Sequence, residues 1–224
     1  MQEPTILFED ENLVVLDKPS GLIVYSDGVH DYPALDTWLI ARYGEGNFQF
    51  VHRLDRETSG VLVVAKTSEA YEFLRNQFEE REVRKIYRAF VHGIIKDERG
   101  VIDKPIGNAR GGGGPRSATK PHGVLRDALT TYRVIERSPS ATYVEVFPKT
   151  GRTHQIRVHF ASIQHPVISD SLYAPTRPKL LGFDRLALHA YSLTFTHLSG
   201  REMTVTAPLP SEFVAAEGEL RAQS

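Results

Sequence analysis

His52-Arg53-Leu54-Asp55-Arg56-Glu57-Thr58-Ser59-Gly60 is the stretch on which the reading of this chain turns. It sets a carboxylate between two arginines in a polar segment that closes on Thr-Ser-Gly, a turn-forming ending. Adjacent cations favour the ionised carboxylate, and an ionised, oriented carboxylate can serve as nucleophile or base. A loop ion pair uses the same residue types, so these nine residues alone leave chemistry and structure both open. Strand-like runs lie on either side, Phe50 to His52 and Val61 to Lys66. Asp55 is therefore expected on a loop joining two strands.

Working outward, Asn12 to Lys18 reads as a buried strand ended by the turn Pro19-Ser20-Gly21. Residues 35–43 fit one short helix. Ala70, Phe73, Leu74 and Phe78 recur at helical spacing, so a helix is expected over 69–82 with Ser68 as its N-cap. Strands are expected at 86–95, 129–136, 142–148, 187–197 and 202–207. A helix is expected over 153–163, where Ile156, Phe160 and Ile163 share a face. Residues 107–123 are glycine-rich and basic without an apolar anchor, and read as a mobile loop. Strands and helices do not alternate regularly, which predicts an α+β fold built on a mixed, mostly antiparallel sheet. With no internal repeat and no obvious linker, residues 1–224 are expected to form a single domain.

Composition excludes several classes. With no cysteine among 224 residues, disulfides, thiolate nucleophiles and zinc ribbons are ruled out together. Residues 1–11 carry acids where a signal peptide needs basic and then apolar residues, and no apolar run is long enough for a membrane span. A cytoplasmic protein is the expectation. The formal net charge of −1 conceals an asymmetry: −7 over residues 1–50, +8 over 51–200 and −2 over 201–224. A basic middle section is what a polyanionic partner requires, although an unevenly charged solvated surface has the same composition. Gly111 to Gly114 lack the following Lys-Ser/Thr of a phosphate loop. Among the nine histidines, His154 and His159 stand five apart, which does not put them on one helix face as a metal pair, and no His-Glu-x-x-His is present. No protein-bound catalytic metal is expected.

The order of residues around Asp55 adds more. His52 to Gly60 resembles the H-R-L-D-x-x-T-S-G signature of the RluA-type pseudouridine synthases. Further blocks resemble the same family, in its order and over nearly the whole chain: Val14 to Gly21 (VVLDKPSG), Lys85 to Ala89 (KIYRA), Lys149 to His159 (KTGRTHQIRVH), His165 to Asp170 (HPVISD) and Leu186 to Ala190 (LALHA). His52, where the related RsuA branch has glycine, favours the RluA branch. Ser169 departs from the family pattern, which has glycine before the aspartate. The pattern begins within the first 15 residues, so the accessory N-terminal RNA-binding module of many relatives is expected to be absent.

The resemblance implies the pseudouridine-synthase fold, a long mixed sheet with flanking helices and a central RNA-binding cleft. It implies cofactor-independent isomerisation of specific uridines in structured ribosomal or transfer RNA, by a monomer acting on a stem-loop. Asp55 would be the catalytic carboxylate, attacking C1′ or removing the C2′ proton, with Arg157 its pairing guanidinium. Tyr87 would pack beside the uracil and assist loss of the C5 proton. Arg53 would fill the space left by the flipped base, with His52 beside it. Leu188 would wall the uracil, and Arg152 and Lys149 would meet phosphates. An inactive RNA-binding relative should have lost Asp55, Tyr87 or Arg157, and all three are present. An N-glycosidase would need a second acid/base carboxylate, and none stands out near the motifs.

Overall fold

The computed structural model describes residues 2–26, 28, 32–109 and 116–223. Along the chain come β1 (Thr5–Glu9), β2 (Leu13–Lys18), α1 (Leu35–Tyr43), β3 (Gln49–Phe50), β4 (Ser59–Ala65), α2 (Ser68–Glu79), β5 (Arg84–His92), β6 (Arg99–Asp103), β7 (Ile106–Asn108), β8 (Arg116–Ser117), β9 (His122–Arg126), β10 (Leu129–Arg137), β11 (Ala141–Pro148), α3 (Gln155–Ser162), β12 (Leu188–Thr196), β13 (Glu202–Thr206) and α4 (Ser211–Ala222). The fold is α+β, as the sequence predicts. The chain forms two compact units: Met1–Lys85 with Ala190–Pro208, and Ile86–His189 with Leu209–Ser224.

In the first unit β2 and β4 run antiparallel, from Leu13 opposite Ala65 to Lys18 opposite Gly60. β1 pairs with β2, β3 with β4, and β13 with β12. Every residue of β4 is buried, which accounts for its unbroken apolar run: a strand covered on both faces does not alternate. Leu13, Val15, Val61, Val63, Leu74 and Phe195 form the core under α2. Gln77 bridges α2 to the sheet, with its Nε2 donating to the Thr196 carbonyl and its Oε1 accepting from the Thr196 amide, both at 2.8 Å.

In the second unit β11 pairs with β5 on one side and β10 on the other, and β6 pairs with β10, all antiparallel. Phe90 stacks on Tyr143 at 4.2 Å and meets Phe183 and Phe213 at 5.2 and 5.6 Å. Phe213, Ala216 and Leu220 bring α4 into this core at helical spacing. A separate small sheet of order β8-β7-β9 carries the basic stretch. Residues 107–123 are therefore only partly a loop. Gly107 and Asn108 pair with Ser117 and Arg116, and Asn108 also with His122. Gly107 fits because a Cβ there would press on the His122 carbonyl. The four glycines 111–114 lie outside the described residues.

Helix α2 starts one residue earlier than expected, and Thr67 rather than Ser68 caps it, its hydroxyl accepting from the Ala70 amide at 3.2 Å. Either residue can cap; β4 ends at Ala65, and Thr67 is the residue left in extended backbone (φ −128°, ψ 153°). The helix also ends early, at Glu79. Arg81 takes left-handed backbone (φ 62°), and the amides of Arg81 and Glu82 return to the carbonyls of Phe78 and Gln77. This is a glycine-type helix end made without the glycine that would have marked it in the sequence.

Arg81→Gly should relieve that backbone strain and raise the unfolding free energy by about 0.5–1 kcal/mol. Urea denaturation checks it; a destabilised variant would show that the Arg81 side chain contributes more than its backbone costs.

Candidate active site

The Asp55 loop is built on the turn at the end of β2. Lys18 has no exposed surface, and its ammonium donates to the carbonyls of Pro19 (3.0 Å), Leu22 (2.8 Å) and Arg56 (3.2 Å). A buried charge is tolerated only when it is matched in this way. The Gly21 amide adds a second bond to the Arg56 carbonyl at 2.8 Å, and the Ser20 hydroxyl donates to the Glu57 carbonyl at 2.7 Å. The two residues that follow Asp55 are thus tied to 18–21. Asp55 is half-buried, and its carbonyl accepts from the Thr58 amide at 3.1 Å, closing the turn. Gly60 (φ 113°) completes the segment against Ala190, whose carbonyl a Cβ would strike.

The arginines on either side diverge. Arg53 is exposed. Arg56 lies over the Tyr32 ring at 4.5 Å and 3.5 Å from the Glu57 carboxylate. His52 turns inward: its ring stacks on Phe78 at 4.7 Å, and its Nε2 accepts from the Val63 amide at 3.1 Å. Burial, with the charge of Lys85 second, pushes its pKa down to about 3. His52 is neutral and braces the loop against β4.

In the second unit Arg157 stands in the first turn of α3, 2% exposed. Its Nε and one Nη donate to the two oxygens of buried Asp170, both at 2.8 Å. Asp170 Oδ1 also accepts from the amides of Leu172 and Tyr173 at 3.0 Å. A bidentate pair with its lone pairs filled is the arrangement that makes a buried ion pair tolerable. The preceding loop is fixed by Gln155. Its Oε1 accepts from the Thr150 hydroxyl (2.7 Å) and the Arg152 amide (3.0 Å), and its Nε2 donates to the Leu129 carbonyl (3.1 Å) and Thr130 Oγ1 (3.0 Å). The Arg152 guanidinium reaches the Asp127 carbonyl at 3.0 Å. Lys149 is exposed. Tyr87, on β5 opposite Val146, is half-buried against the unit's core. Leu188 is buried in that core.

A family model described as RNA pseudouridylate synthase matches residues 12–162. The chain belongs to the RNA pseudouridine synthase family. It is 38% identical over 223 residues to ribosomal large subunit pseudouridine synthase D of Nitrosomonas europaea, covering 94% of this chain and 63% of that protein. It is 36% identical over 215 residues to ribosomal large subunit pseudouridine synthase C of Vibrio parahaemolyticus, covering 94% and 67%. The structure of human RNA pseudouridylate synthase domain containing 1 superposes with a TM-score of 0.78 at 28% identity, over 95% of this chain and 87% of that one. The chain spans about two thirds of the length of these bacterial relatives. The RluA-type resemblance carried by the motifs is borne out.

Within the pseudouridine synthase, the structure adds residues to which the motifs gave no task. Lys18 and Gln155 fix the two motif loops, and Asp170 fixes Arg157. Asp170 is a second carboxylate, but its oxygens accept four hydrogen bonds, which is an anchor's environment and not that of the acid a glycosidase requires. Ser169 occupies left-handed backbone (φ 57°), the conformation for which the family's glycine is suited, and its hydroxyl offsets the cost by donating to the Phe183 carbonyl at 2.7 Å. His154 Nδ1 lies 3.0 Å from the Tyr173 hydroxyl, and His159 is buried between Thr130 and the Lys104 carbonyl. Among the described residues no cluster of three or more His, Asp or Glu could hold a metal.

The histidines give the protein a pH-dependent stability. Burial lowers the pKa of His92 and of His159 as well as of His52. The unfolded chain binds protons below about pH 6.5 that the folded chain refuses. Stability is therefore full above that pH and lost as pH falls toward 3. Between pH 7.5 and 5 the urea midpoint should drop, with His52 alone contributing on the order of 1–2 kcal/mol. A flat or rising midpoint over that window would contradict the assignment.

Proposed function

We propose that this protein converts specific uridines to pseudouridine in large-subunit ribosomal RNA, with Asp55 as the catalytic carboxylate. The observation that carries the reading is the Asp55 loop itself: a half-buried carboxylate on a turn clamped by a buried lysine, in a chain of this family. Clamping fixes the carboxylate before substrate arrives, and such positioning is what an intramolecular rearrangement needs. The names of the relatives, ribosomal large subunit synthases C and D, support ribosomal over transfer RNA. The family model runs through both compact units, which supports one catalytic domain made of the two.

In the proposed reaction the C1′–N1 bond breaks, the uracil turns, C5 bonds to C1′, and the C5 proton leaves as N1 gains one. Nothing is oxidised, and no group donor is consumed. Asp55 acts at the sugar, at C1′ or on the C2′ proton. Arg157, held rigid by Asp170, is assigned as the guanidinium partner of the carboxylate on the strength of the family resemblance. Tyr87 packs beside the uracil and accepts the C5 proton through its phenol. Leu188 walls the base. Base flipping costs a few kcal/mol, and exposed Arg53 can offset part of it by stacking in the vacated space. Arg152 and Lys149 meet phosphates. His52 contributes by holding the loop that carries Arg53. No described helix is long and apolar enough to cross a membrane, which is compatible with a monomer acting on RNA in the cytoplasm, as this proposal has it.

The test is pseudouridine mapping on an unmodified large-subunit ribosomal RNA transcript, paired with the same mapping on RNA from cells lacking the protein. Wild type should introduce, and the deletion should lose, the same site. Asp55→Asn should bind the transcript and form no pseudouridine, because an amide is neither nucleophile nor base. Turnover by that variant would remove Asp55 from its role, and wild-type modification of transfer RNA alone would reassign the substrate.

A further inference from the structure

Tyr173 occupies a position that the proposed reaction does not yet use. Its ring lies against the Arg157 guanidinium, 5.4 Å from centroid to Cζ. Its amide donates to Asp170 Oδ1 at 3.0 Å. Its hydroxyl accepts from the backbone amide of Arg116, on β8, at 2.9 Å and stands 3.0 Å from His154 Nδ1. One side chain thus touches the Arg157 guanidinium, the neighbourhood of that arginine's carboxylate, the residue before α3, and the small basic sheet.

Each contact restrains something different. The bidentate Asp170 pair fixes the guanidinium within its own plane but leaves it able to rock out of that plane. An aromatic face at 5.4 Å, inside the roughly 6 Å range of a cation–π contact, restrains the rocking. The hydroxyl accepts one N–H and lies within hydrogen-bond distance of His154 Nδ1, with the direction of that bond set by the imidazole tautomer. His154 has left-handed backbone (φ 57°), sparsely populated by residues with a side chain, and the Tyr173 hydroxyl holds its ring in place. On the other side, β8 packs against α3 and belongs to a sheet whose strands and turn carry Arg116, Lys120, His122 and Arg126. Val124 on β9 is 81% exposed, so the sheet presents cations and uncovered apolar surface together. That combination fits an RNA backbone with its sugars and bases.

We propose that Tyr173 is a positioning residue for Arg157 and that its hydroxyl straps the basic sheet β7–β9 to the start of α3, so that RNA held by the sheet is held in register with Arg157. The inference rests on the proposed function for its kinetic consequences and on the free protein for its structural ones. Tyr173→Phe keeps the ring over Arg157 and removes the strap. Tyr173→Leu removes both.

Two readouts separate these roles. In the protein without RNA, hydrogen-exchange mass spectrometry over residues 116–126 should show exchange faster by about tenfold in Tyr173→Phe, as expected when one net hydrogen bond is lost from a small sheet. On the unmodified ribosomal RNA transcript, Tyr173→Phe should raise KM several-fold with the smaller effect on kcat. Tyr173→Leu should lower kcat by a further factor of about ten, the scale of a lost cation–π contact, while far-ultraviolet circular dichroism confirms the fold of both. Unchanged exchange over 116–126 in Tyr173→Phe overturns the strap. Equal kcat in the Phe and Leu variants overturns the positioning of Arg157, and so does a Leu variant that is folded and fully active. If wild type makes no pseudouridine on the transcript, the proposed function fails, and the exchange experiment still decides the strap.

Discussion

A lysine ammonium with no access to water is the constraint from which the rest of the first unit follows. Lys18 ends β2, and its charge must be met by oxygens, among them the backbone carbonyls at 19, 22 and 56. Two of these close the turn after β2, and the third lies immediately after Asp55. The requirement to satisfy one buried cation therefore fixes two loops against each other at once. Removing the charge would leave acceptors without a donor, and unmet buried polar groups cost more than the pair contributes when intact. The Ser20 and Gly21 bonds to 57 and 56, and the Gly60 backbone pressed on Ala190, tighten the same frame. The outcome is a carboxylate whose backbone is immobilised before any substrate contributes.

The second unit solves the same problem with a charged partner in place of neutral carbonyls. Arg157 is a buried guanidinium met by a buried carboxylate, and Asp170 is in turn filled by two amides. Gln155 spends all of its hydrogen-bonding capacity on the loop between β11 and α3. In both units a charged side chain of the signature motifs is presented by residues that are themselves saturated. Saturated networks resist rearrangement, which suits the proposed reaction, in which a carboxylate and a turning base must be held in register.

Much of this was legible in the sequence, and the exceptions have physical causes. Asp55, Tyr87 and Arg157 stand in motifs whose residue order is itself the signal, and α2 and α3 follow from apolar spacing. The partners of Lys18 are carbonyls, which no residue type announces, and those of Asp170 and Tyr173 lie 13 and 57 residues away. Gln155 reads as an ordinary polar residue until its four partners converge. Thr67 and Ser68 are both competent caps, and strand end β4 decides between them. The basic stretch 107–123 has a loop's composition, yet its flanks pair with each other, and Arg116 also meets Tyr173 from outside the segment. Ser169 is legible in the sequence as a departure from the family's glycine; its left-handed backbone, with a hydrogen bond in place of glycine's freedom, shows only in the structure. The α4 helix went unread because Gly218 interrupts a short pattern whose apolar face, Phe213, Ala216 and Leu220, is recognisable only against the core it covers.

In the proposed reaction Lys18 acts by holding the Asp55 loop. The direct measurement is a single-turnover rate for Lys18→Met on the RNA substrate, with RNA affinity measured alongside at a temperature where circular dichroism shows both proteins folded. A misplacement of a reacting group by about 1 Å costs roughly 100-fold in rate, so the account predicts a fall of about that size with affinity changed no more than a few-fold. A folded Lys18→Met protein that turns over at the wild-type rate would contradict it.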